Sequence, residues 1–269
     1  MRLLLYFCNK NIVEISMRKI LILWLATSIF WGCKQPDNTQ IENQKHELKS
    51  QICRDEECAK VEIEIPYFSG NKPSFDIINN AVLQQVSSLI SFAEKGEQFE
   101  NYEVLMQNFI QSYEKIKTDF PNEPIPWEAE IEVKANRLDE QLVNITYDFY
   151  TFTGGAHGNY GKISQFYDME TGKEMAVKQL FVNYSGFEKK VKDKFYRVYQ
   201  LKEDDSLEDK GFMFEDNRFY LTDNIMFTDN KVVVYYNPYE IAPYANGATE
   251  LKFNFDEVKP YLNPLYFKN

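Results

Sequence analysis

Residues 127–169, WEAEIEVKANRLDEQLVNITYDFYTFTGGAHGNYGKISQFYDM, decide the fold class. Trp127–Asn136 alternates through Ala129, Ile131 and Val133. Gln141–Thr153 sets Val143, Ile145, Tyr147, Phe149 and Thr151 on one face, and Tyr160–Met169 carries Ile163 and Phe166. A period of two marks half-buried strands, and the turn Glu170-Thr171-Gly172-Lys173 closes the meander.

Upstream, Val61, Ile63 and Ile65 alternate with Glu62 and Glu64 until Pro66, a further strand. The period then changes. Between Phe75 and Phe92, Ile77, Ile78, Ala81, Val82, Val86, Leu89 and Ile90 recur at three and four, which predicts an amphipathic helix. A second helix is expected over Asn101–Asp119, stopped by Pro121, Pro124 and Pro126. Downstream, a helix is expected near Tyr184–Leu201, then an acidic loop over Lys202–Lys210. Short strands follow near Asn224–Thr228, Lys231–Tyr236 and Ala248–Phe255, with Asp229-Asn230 as a tight turn. Consecutive strands and grouped helices give an α+β class: antiparallel sheet or sheets packed with a few amphipathic helices.

The N-terminus reads as an address. Met17-Arg18-Lys19 precedes an apolar run from Ile20 to Trp31, the length of a secretory signal and short for a membrane span. Gly32-Cys33 ends it in a pattern that resembles the bacterial lipobox, so Cys33 is the expected lipidation site. Residues 1–33 are expected to be an upstream extension plus lipoprotein signal, and 34–50 a flexible tether. The folded part divides into an N-terminal half, 51–153, and a C-terminal half, 154–262. Cys53 and Cys58 are spaced as a zinc half-site or a small disulfide loop. Zinc needs two further ligands, and an oxidising compartment favours the disulfide.

Composition narrows the partners. The chain has 269 residues and a net charge of -11. Without residues 1–32 it keeps 26 basic and 40 acidic residues, near -14. Such a surface repels phosphate backbones, which argues against nucleic acid, and it attracts cations. No cofactor-binding or metal-binding motif is visible. No HExxH, serine elbow or Cys-His pair is visible either.

Two loops stand out. Gly154, Gly155 and Gly158 bracket His157, expected to be the only histidine in the folded part because His46 falls in the tether. They form either a backbone-lined binding loop or a tight crossover. Asn237–Gly247, NPYEIAPYANG, offers Tyr239, Tyr244, Asn246 and Gly247, either to stack on a ligand or to cap the core.

TGGAHG, the D-x-x-TGK turn, LF, a helix and then NPYEIAPYANG together resemble an extracellular domain pair. That pair occurs in the ectodomain of the lysozyme-sensing anti-sigma factor (RsiV-like) and ahead of the catalytic domain in peptidoglycan deacetylases (PdaC-like). The resemblance spans about residues 53–260. It implies an envelope location and a partner such as peptidoglycan or a cationic protein, lysozyme being the relative's ligand. Deacetylase chemistry resides in a separate metal-binding domain that this chain does not match. The expected function is therefore a membrane-anchored lipoprotein with a non-catalytic ectodomain that binds a cell-wall glycan or a protein partner. The alternative is a hydrolase acting on envelope polysaccharide or peptide through His157 and a nearby carboxylate.

Overall fold

The structure, a computed structural model, describes residues 38–54, 57–91, 98–121, 125–228 and 230–267. Strands β1 (Gln40–Arg54) and β2 (Glu57–Ser69) form a hairpin. Helices α1 (Ser74–Ile90) and α2 (Tyr102–Asp119) follow. Strands β3 (Glu128–Arg137), β4 (Leu142–Phe152) and β5 (Asn159–Asp168) complete a five-stranded sheet in sequence order. After helix α3 (Tyr184–Val198), strands β6 (Ile225–Phe227), β7 (Lys231–Tyr236) and β8 (Thr249–Asn254) make a second sheet, trailed by the short helix α4 (Phe255–Val258). The class is α+β.

Every adjacent strand pair is antiparallel except β2–β3, which is parallel. Parallel strands need a long crossover, and α1 and α2 supply it. Their apolar stripes, including Ile78, Val82, Val86, Leu105 and Phe109, meet Val61, Ile63, Ile131 and Ile145 in one core. Asn101 starts α2 by accepting the Val104 N–H at 2.9 Å.

The second core forms on the other face of the same sheet. Ile163 points toward the helices, while Phe166, three residues on, points the opposite way onto Phe227. Phe187, Val191 and Phe195 recur every fourth residue on α3 and pack with Val232, Val234, Leu251 and Phe253. Polar side chains stitch the two sheets. Buried Asn144 accepts the Phe227 N–H at 3.0 Å, and Asn136 donates to the Phe227 carbonyl at 2.7 Å. Asn237 accepts the Lys162 N–H and donates back to its carbonyl, so a side chain covers part of the β5 edge.

Two expectations need correction. The tether expected over 34–50 ends early, because Gln40–Arg54 is a strand; residues 34–37 lie outside the described residues. His46 therefore belongs to the fold and stacks on Tyr102 at 4.9 Å, so His157 is not its only imidazole. The reason is position: β1 is an edge strand, and polar residues suffice on a strand paired on one side only. The seam expected at 153/154 also moves. β5 lies in the first sheet, so the second core begins beyond it, apart from the residues β4 and β5 lend to it.

Strand direction sorts the sheet into two ends. β1 begins, β2 and β3 finish, β4 begins and β5 finishes at one end, marked by Gln40↔Ser69 and Leu142↔Asp168. The other end carries Cys53↔Cys58 and Thr151↔Asn159, and with it the glycine loop.

Candidate functional site

The turn between β4 and β5 needs its glycines. Gly154 and Gly155 have φ of 97° and 98°, a region that favours glycine. At Gly158 the constraint is space: a Cβ there would fall 2.4 Å from the Tyr150 ring. Tyr150 lies directly opposite Tyr160 in the ladder. The hairpin thus carries an exposed His157 in the loop that joins the strands of this tyrosine pair.

The second loop comes to meet it. Tyr244 opens the 3-10 turn Tyr244–Asn246 and stacks on His157, with ring centroids 3.8 Å apart and planes 16° apart. Its hydroxyl donates to the Gly158 carbonyl at 2.8 Å. The same carbonyl lies 3.0 Å from His157 Nδ1. An Nδ1–H tautomer would donate there and leave Nε2 as an acceptor. Tyr239 sits 5.4 Å from Tyr244, is 59% exposed, and holds φ at 68°. Tyr160 meets Tyr244 edge-on at 5.8 Å. Gly247 closes the loop at φ 70°, and Asn246 is exposed beside it. Partial burial and the neighbouring tyrosines push the Tyr244 hydroxyl pKa upward, so it stays a neutral donor.

The residues singled out from both loops therefore converge. Sequence reasoning missed Tyr150 and Tyr160, and reached Asn237 only as the first residue of its loop, without its role. The two tyrosines were accessible from hairpin register, since they flank the glycine loop symmetrically. Asn237 carried no such signal, because its role depends on the packing of the second sheet.

Tyr150 and Tyr160 also end a groove of about 410 Å³ on the outer sheet face, whose other walls include Glu64, Glu130, Glu132 and Asp148. Glu64 faces Glu132, and Glu132 faces Asp148, across neighbouring strands. Like charges so placed are destabilising. Lysines relieve part of it: Lys60 contacts Glu128 at 2.7 Å and Glu130 at 3.0 Å, Lys45 contacts Glu62 at 3.2 Å, and Lys162 pairs with Asp148. Hydrogen bonds that Lys60 donates to Glu128 and Glu130 raise its pKa well above the ordinary lysine range.

For catalysis the arrangement supplies less. Among the described residues His157 pairs with no carboxylate, and no group of three or more His, Cys, Asp and Glu is placed to hold a metal. Cys53 and Cys58 are joined by a disulfide across the β1–β2 hairpin, Cα atoms 4.2 Å apart. Cys33 and the signal lie outside the described residues. Among those residues no helix is long and apolar enough to cross a membrane.

Comparison with known proteins gives two domain matches. Residues 52–160 match the family model described as deacetylase PdaC, and residues 178–256 match that of a protein of unknown function, DUF3298. No curated protein matches the chain. A DUF3298 family protein from Pseudomonas aeruginosa, known from its crystal structure, is similar with a TM-score of 0.58 and 22% identity, over 87% of this chain and 98% of that one. A second, from Bacteroides fragilis, has a TM-score of 0.57 and 16% identity, over 86% and 98%. At these identities the likeness is one of fold.

Proposed function

We propose that this is a lipid-anchored protein of the bacterial cell envelope, acylated at Cys33, whose ectodomain binds a cell-wall glycan or a cationic protein without transforming it. One observation carries the proposal: the two loops meet in an exposed patch of His157, Tyr239 and Tyr244 that continues through Tyr150 and Tyr160 into a carboxylate-lined groove. Exposed aromatic faces suit sugar rings, and the groove suits cationic groups. The domain matches support an envelope role. Lysozyme, the ligand of the anti-sigma factor whose ectodomain the sequence resembles, is the named protein candidate.

Anchoring fits the geometry. Six residues separate Cys33 from Gln40, so the seven chain steps between them reach about 25 Å at most. That would hold the Gln40 end of the sheet near the membrane and present the loops at the far end. β4 alone spans 11 residues, roughly 35 Å.

The test is cosedimentation of the purified full chain, in detergent, with insoluble peptidoglycan, alongside capture on immobilised lysozyme. Retention by one of them, reduced at least tenfold by Tyr239→Ala with Tyr244→Ala, is expected. Retention by neither removes both ligands from the proposal.

A further inference from the structure

A second cavity, of about 490 Å³, opens on the opposite face of the first sheet, between the β1–β2 edge, α1 and the start of α2. That volume is typical of small-molecule sites. Its floor is carbon: Ile65, Pro66 and Leu83 are buried there. Its walls are aromatic, with Tyr67 39% exposed on one side and the stacked pair His46 and Tyr102 on another. Its rim is polar: Gln44, Asn80, Glu100 and Glu103.

Two atoms in this wall are out of place in a core. His46 Nε2 and Tyr102 Oη are both covered, and neither has a hydrogen-bond partner among the described residues. Folded proteins rarely leave such groups unmade, and each that persists calls for an explanation. A purely structural wall would be served better by phenylalanine at both positions.

The surroundings narrow the ligand. Burial lowers the His46 pKa, so the ring is neutral near pH 7 and offers no cation to an anionic ligand, which Glu100 and Glu103 also repel. A hydroxyl both donates and accepts, so it can satisfy either histidine tautomer and a phenol together. A sugar ring combines such hydroxyls with an apolar face for the tyrosines. We propose that this cavity is a saccharide-binding site, with the ring's apolar face on Tyr102 or Tyr67 and its hydroxyl edge bonded to His46 Nε2 and Tyr102 Oη. Because both atoms are covered, binding requires this wall to rearrange locally so that they reach the ligand. The site stands apart from the loop patch and does not depend on it.

Calorimetric titration of the full chain in detergent with a β-1,4-linked N-acetylglucosamine disaccharide tests it. Saturable binding is expected, weakened about five- to tenfold by Tyr102→Phe and by His46→Phe, the scale of one lost hydrogen bond. Neither substitution should lower the melting temperature, because each removes an unsatisfied polar group. A titration lost in Tyr244→Ala but kept in both phenylalanine variants would assign the sugar to the loops and overturn the proposal. So would no binding by the wild type, or weakened binding accompanied by a lower melting temperature.

Discussion

Tyr239 holds a left-handed backbone although it is neither glycine nor asparagine, and 59% of it is exposed. That conformation costs a non-glycine residue roughly 1–2 kcal/mol, and exposure returns little of it. Such strain in a loop is consistent with a ring kept for contact with something else. Tyr239→Gly should therefore raise unfolding stability by about 0.5 kcal/mol, the relief of strain less glycine's added entropy, while weakening retention by the partner. Chemical denaturation checks the first effect and cosedimentation the second. His46 gives a pH signature. Burial holds its folded pKa below the ordinary 6.5, so below that value the unfolded chain takes up the proton more readily. Its contribution is complete above pH 6.5 and lost as pH falls through the folded pKa. The slope of stability against pH below 6.5 should flatten in His46→Gln, measured by thermal melts from pH 7.5 to 5.

Among the elements, those with a strong apolar period were legible in sequence. α1 and α2 lie within two residues of their expected bounds, and β3, β4 and β5 follow the 127–169 alternation. β1 was not legible, since its inward residues Gln44, His46 and Ser50 are polar and their burial depends on Tyr102 and Glu114 reaching them from α2. The union of the sheets was equally hidden. Asn144 faces away from the first core in a strand whose other face is apolar, and looks like a solvent residue until β6 lies over it. With Asn144→Leu the buried Phe227 N–H loses its acceptor, and stability should fall by about 2–3 kcal/mol. Denaturant unfolding of the variant reads this directly. An unchanged midpoint would mean that the polar stitch contributes nothing.

At the scale of the whole molecule, acidity was visible in composition, but the arrangement of the acidic and aromatic side chains was not. The glycine loop and the Tyr239–Gly247 loop are about eighty residues apart in sequence, and only the packing of the second sheet against β5, through Ser164 with Ile225 and Lys162 with Asn237, brings them together. With the anchor proposed at the Gln40 end, the patch would face away from the membrane, where a wall polymer or an arriving protein is met. Hydrogen exchange of the full chain, with and without soluble peptidoglycan fragments or lysozyme, tests the central claim most directly. Slowed exchange is predicted in residues 153–160 and 237–247 with whichever ligand binds. A bound ligand that leaves both segments unprotected would contradict the assignment of the site to these loops.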